Sequence, residues 1–352
     1  MHSLQGLYVF LFLFLLMPLS VVAQSEVPLR LIHTTLLPGY VGDFEHFAAD
    51  VKGNRLFMVA EDHKTVEVLN LRTGKPIHSI EGFTQPHAVV YLNSDKIIVT
   101  DGNADFGAVH LVSGTDYTVL DHIKLPAGVD GAVLNPVNKN YYVESRGGEQ
   151  GKESHNINII DTQNFKLIGD IILPGSHSEA MVVDKAGARL YVNLAGTNEI
   201  GVVDLKTQKL AAEWPIPDAE GENALALDET NHRLFTASHK PAKLIVFNID
   251  TGKVVTSLPC VANSDDMSYD LAHQRVYLTG DGHVSVFQQR DADHYDHLAE
   301  IPTGYRAKTS IFVPELERLY IAVASRGKRS GGKLAIPEPG SKVEVQIYQV
   351  QN

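Results

Sequence analysis

Three short stretches decide the fold: Glu179-Ala-Met-Val-Val-Asp184, Arg189-Leu-Tyr-Val-Asn193 and Ile200-Gly-Val-Val-Asp-Leu-Lys-Thr207. Each holds a brief apolar run rich in Val, Leu or Tyr and ends in polar turn residues, so each reads as a β-strand rather than a helix. The same layout returns as Asn223-Ala-Leu-Ala-Leu-Asp228, Arg233-Leu-Phe235 and Leu244-Ile-Val-Phe-Asn248, closing on Asp250-Thr-Gly-Lys253. It appears again as Arg55-Leu-Phe57 with Val66-Glu-Val-Leu-Asn70 and Arg72-Thr-Gly-Lys75, and further copies centre on Ile98, Tyr142, Tyr277 and Tyr320. Aligning these centres places equivalent first-strand positions at Glu45, His87, Asp130, Glu179, Asn223, Asp265 and Lys308. The gaps between them are 42, 43, 49, 44, 42 and 43 residues. Seven units of this period, with about four short strands in each, predict an all-β seven-bladed β-propeller of four-stranded blades.

Outward from the repeats, the two ends of the chain complement each other. The last unit stops after Val343-Glu-Val-Gln-Ile-Tyr348, its third strand, while Leu29-Arg-Leu-Ile-His-Thr-Thr35 precedes the first unit as an unclaimed strand. Pairing the two would close the ring and leave no exposed edge between first and last blades. Residues 25–352 are therefore expected to form a single domain, because each blade needs both neighbours to bury its faces. Before that domain, Leu7 to Met17 is an apolar run of 11 residues, followed by Pro18 and a Val21-Val22-Ala23 end. That run suits a signal peptide over residues 1–24, although no Lys or Arg precedes it, and it is too short to span a bilayer. The expectation is an exported chain, secreted or periplasmic, with no membrane span once the signal is removed.

Composition narrows the partners. Lys and Arg total 30 against 42 Asp and Glu, a net charge of −12, which repels phosphate backbones and argues against nucleic-acid binding. Cys260 is the single cysteine, so an internal disulfide, a thiolate zinc cluster and a CxxC redox pair are excluded.

Leu190-Tyr-Val-Asn193 followed by Gly201-Val-Val-Asp-Leu-Lys-Thr-Gln-Lys209 resembles the repeat of the YVTN family of β-propellers, the group that includes YncE-like proteins. The resemblance implies a seven-bladed propeller, usually exported. It implies no single activity, since members range over surface-layer proteins, enzyme subunits, lactonases and binding proteins.

In a propeller the loops entering each first strand share one face with the loops joining second to third strands. Polar chemistry collects there. The entrances carry Glu45, His46, His87, Asp130, His177, Glu179, Asn223, Asp265, Asp266, Arg306 and Lys308, and the other loops add Arg146, His239 and Arg326. Two long insertions, Arg146 to His155 and Arg326 to Lys342, lie on the same face, where recognition tends to be built. A ring of polar residues is also expected in a propeller that binds nothing, because the strand entrances expose backbone groups. Here the acids crowd the mouth, answered there only by Arg306 and Lys308, and crowded carboxylates raise one another's pKa unless a cation intervenes.

A divalent metal is one such cation. Glu45, Asn223 and Asp265, with Asp130, Glu179 and Asp266 in reach, form an oxygen-rich set suited to calcium or magnesium. The set is similar to that of the calcium-centred lactonase propellers of the gluconolactonase and paraoxonase groups. His46, His87, His177 and His239 form a competing set for copper, zinc or iron. In an enzyme reading, a metal-dependent lactonase, hydrolase or lyase, His87 or His177 would move the proton. Ser176-His177-Ser178 beside Glu179 suggests a serine relay, but strict strand alternation would point neighbouring residues to opposite faces and break it. Two readings stand: a monomeric binding propeller that grips a small ligand, a metal or a partner protein at the channel face with Arg146, His239, Arg306, Lys308 and Arg326, and the metal-dependent enzyme. The first is preferred.

Overall fold

A computed structural model describes residues 27–93, 95–147, 153–330 and 333–352; the side chains of 222–223, 328–330 and 333–337, and the leader expected over 1–24, lie outside that description. Seven four-stranded antiparallel sheets stand around a common axis. Their innermost strands are Phe47–Asp50, Pro86–Leu92, Val129–Leu134, Met181–Val183, Glu220–Asp228, Met267–Asp270 and Ser310–Val313. Each touches the next around the ring, and the last touches the first.

Local sequence explains why each sheet folds on itself. In all seven blades a residue just before the second strand takes a left-handed backbone: Asn54, Asp95, Lys139, Gly187, His232, Gln274 and Glu317. The turn after the third strand has a recurring Asx cap. The Asn248 Oδ1 accepts the N–H groups of Asp250 and Thr251, both at 3.0 Å, and Asn70 and Asp204 cap Thr73 and Thr207 in the same way. Four residues beyond the cap the chain turns left-handed at Gly74, Gly252 and Gln208, which is why two of the three carry glycine.

The central residues of the repeat (Phe57, Ile98, Tyr142, Tyr191, Phe235, Tyr277 and Tyr320) are all buried. They seed seven apolar clusters, one between each pair of adjacent blades. Trp214 packs against one of them, tilted on Tyr191 and stacked on Phe247 at centroid distances of 5.8 and 6.0 Å, so its role is packing. Closure follows the sequence reading: Leu29–Leu36 pairs antiparallel with Glu344–Val350 and completes the seventh sheet. One feature differs from expectation. The Arg326–Lys342 insertion carries a two-stranded hairpin, Gly327–Ser330 with Lys333–Pro337. Among the described residues no helix is long and apolar enough to cross a membrane.

Candidate functional site

An innermost strand starts at the axis, so the residue that enters it faces the channel mouth. Six of the seven aligned repeat positions meet there. Glu45, His87, Asp130, Glu179, Asp265 and Lys308 line one cavity of about 440 Å³, together with His46, Asp266 and Arg146. The side chain of Asn223, the seventh position, lies outside the described residues.

The acids are answered from within the protein. The Lys308 ammonium donates to Asp265 and lies 3.4 Å from Glu45 Oε1, standing between the two carboxyl groups. Burial drives the Glu45 pKa up, Lys308 opposes it, and the result is a carboxyl raised to about 8, which holds its proton at neutral pH. His46 Nδ1 lies 2.9 Å from Asp266 Oδ1, while the other Asp266 oxygen accepts the Ser310 N–H at 2.8 Å. Burial disfavours the His46 cation, but the Asp266 charge and hydrogen bond prevail and lift its pKa to about 10. His87 Nε2 lies 2.9 Å from the Gly102 carbonyl and its Nδ1 3.7 Å from Asp130; despite burial, the Asp130 charge raises its pKa. Arg146 donates to Asp130 at 2.6 Å and to Glu179 at 3.2 Å. Burial favours a protonated Asp130, yet His87 and Arg146 hold it below the ordinary range. With Glu45 protonated, Asp130, Glu179, Asp265 and Asp266 thus face His46, His87, Arg146 and Lys308.

This pairing revises the expectation that Arg306 and Lys308 alone answer the acids. Arg306 turns away into a two-point contact with Asp43, at 2.9 and 2.6 Å, and does not line the cavity. Arg146, which follows the second strand of the third blade, takes the inner position. His239 is tied to the Ser264 carbonyl at 3.2 Å, and the Arg326 guanidinium lies over the Tyr305 ring at 5.6 Å; neither lines the cavity. The imidazoles of His46, His87, His177 and His239 each engage different partners. Among the described residues no group of three or more His, Cys, Asp and Glu is disposed to hold a metal ion. Where Glu45 and Asp265 would share a cation, the Lys308 ammonium already stands.

Beside the cavity the alternation argument fails. Residues 175–180 lead into the short strand Met181–Val183 but are not part of it. Freed from the pleat, Ser176 Oγ lies 2.9 Å from His177 Nδ1, and His177 Nε2 lies 3.2 Å from Glu179 Oε1. Glu144 was not anticipated either. It is fully buried beneath Arg146, with Oε1 3.6 Å from the guanidinium, and burial pushes its pKa well above the usual carboxylate range. Its signal was legible: it sits two residues past the central Tyr142, on the strand face that otherwise packs apolar side chains. Cys260 is half-buried, and burial pushes its thiol up to about 12, so little thiolate forms at neutral pH.

No protein-family model and no curated protein matches the sequence. Among solved structures, a chain of the Kuenenia stuttgartiensis hydrazine synthase is similar at 16% identity, over 82% of this chain and 96% of that one, with a TM-score of 0.66. A chain from the crystal structure of a mitotic checkpoint complex is similar at 15% identity, over 99% of this chain and 100% of that one, with a TM-score of 0.72. At such identities the likeness shows the propeller fold alone.

Proposed function

We propose that this propeller binds a small hydroxylated carboxylic acid in its channel mouth. The observation that carries the reading is the balanced, densely polar cavity of about 440 Å³, fed by side chains from successive blades. Lys308 has three donor protons, and one of its two acidic neighbours, Glu45, keeps its own proton at neutral pH. The ammonium can therefore donate to one further anionic oxygen. The polar part of the lining, with Asp130, Glu179, Asp266, His46, His87 and Arg146, offers donors and acceptors that suit hydroxyl groups, while Phe47, Met181, Leu225 and Met267 give a short carbon chain apolar surface to rest on.

Calorimetric titration with a panel of four- to seven-carbon hydroxy acids, their lactones and simple amino acids tests the reading. At least one hydroxy acid should bind with a Kd below about 1 mM, a free energy of about −4 kcal/mol. Lys308→Met and Arg146→Gln should each weaken that binding at least about tenfold while the protein stays folded. Heat-silent titrations across the panel would end the proposal.

A metal stands lower, because a divalent ion shared by Glu45 and Asp265 would have to displace Lys308. Unchanged melting and ligand binding after chelator treatment is the expected result. The remaining features of this reading come from the sequence: a cleaved signal peptide over residues 1–24, export, a monomeric state and membership of the YVTN group. Amino-terminal sequencing of the exported protein and its hydrodynamic mass test the first three.

A further inference from the structure

We propose that Ser176, His177 and Glu179 form a metal-free hydrolytic relay at the cavity rim, acting on small polar esters or lactones. The geometry supplies each role. Glu179 Oε1, held at 3.2 Å by Arg146, accepts from His177 Nε2 at the same distance. That contact fixes the proton on Nε2 and leaves Nδ1 as an acceptor, and Ser176 Oγ lies 2.9 Å from it. Among the described residues the Ser176 backbone N–H has no hydrogen-bond partner, so a donor stands next to the hydroxyl where an oxyanion would form. The Gly196 backbone packs closely against Ser176, and only glycine fits there: a Cβ would stand 2.3 Å from the Ser176 nitrogen and 2.9 Å from its Oγ. Ser176 and His177 are half-buried, within reach of a small substrate.

The chemistry balances without a further reactant. Ser176 Oγ bonds to the ester carbonyl carbon as its proton passes to His177 Nδ1. The bond to the leaving alkoxide breaks, and that oxygen takes the proton from His177. Water then attacks the acyl-serine, gives a proton to His177, and releases the acid as Ser176 recovers that proton. Glu179 is a positioning residue and touches no reacting atom. Only the substrate's polarity rests on the proposed binding role, since Glu179 and Arg146 also line the cavity.

The full chain is treated with a fluorophosphonate probe, followed by intact mass and peptide mapping, and p-nitrophenyl acetate hydrolysis is measured in parallel. One adduct on Ser176 is expected, and Ser176→Ala should abolish both labelling and hydrolysis with an unchanged melting temperature. His177→Gln should slow both by about 10²- to 10³-fold. Glu179→Gln should lower kcat by about tenfold with KM unchanged, a split that a merely structural residue would not produce. A folded wild-type protein that takes no adduct, or a Ser176→Ala variant that hydrolyses at the wild-type rate, overturns the relay. Hydroxy-acid binding without an adduct leaves the binding role intact and rejects the relay; an adduct without binding does the reverse.

Discussion

Lys308 stands between two carboxyl groups, and the protonation of one of them, Glu45, gives a measurable pH dependence. Glu45 has a folded pKa of about 8, above its ordinary 4.5, and His46 one of about 10, above 6.5. Both groups therefore bind more protons folded than unfolded, and stability falls as pH rises. The Glu45 contribution is complete below about pH 4.5 and fades toward 8; that of His46 is complete below about 6.5 and fades toward 10. We expect the melting temperature to drop by at least about 2 °C between pH 6 and 9. Glu45→Gln, which mimics the protonated acid, should remove about half of that drop, and a flat wild-type profile would contradict the assignment. At this scale the sequence located the groups but not their partners. The repeat period alone brought Glu45, His87, Asp130, Glu179, Asp265 and Lys308 to one mouth. Which cation meets which acid depends on side-chain reach across blades, and so Arg306 and Arg146 exchanged roles. The Ser176-His177-Glu179 grouping was set aside because periodic reasoning extends a strand through 175–180, where the chain is not part of the pleat.

Strands and turns are the level at which the sequence was most legible, since their signals are local. The left-handed residue before each second strand and the Asx cap after the third are fixed by a few neighbours, and the central apolar residue marks the face that packs on the next blade. Phe235 shows what that position contributes. It is fully buried, stacked on Tyr269 at 5.4 Å and edge-on to Tyr295 at 5.7 Å, in the cluster joining the fifth and sixth blades. Truncation leaves a cavity between two rigid sheets that cannot collapse. Phe235→Ala should cost about 3–5 kcal/mol, read as a lower urea midpoint with an unchanged slope, and Phe235→Leu clearly less. Equal losses from both would show that the ring shape, not its volume, matters. The hairpin Gly327–Ser330 with Lys333–Pro337 escaped the sequence reading for the opposite reason: its Gly- and Lys-rich stretch lacks the apolar alternation that announces a strand facing a core.

The whole ring depends on one strand from the far end of the chain. Leu29–Leu36 runs beside Glu344–Val350 from Leu29↔Val350 to Leu36↔Glu344, with one register shift between Leu31 and His33. Leu29 is buried in the cluster between the sixth and seventh blades, so the clasp contributes core as well as backbone bonds. Without it, Glu344–Val350 would become an outer edge with unpaired N–H and C=O groups, a template for another chain. A chain beginning at Pro38 should therefore unfold at lower urea, show faster amide exchange across Glu344–Val350 first, and self-associate. A synthetic peptide spanning Val27–Leu37 should reverse all three changes, because it restores the same register in trans. If the shortened chain keeps both its midpoint and its exchange protection, the seventh blade stands without its fourth strand, and closure by the leading strand is not what holds the ring together.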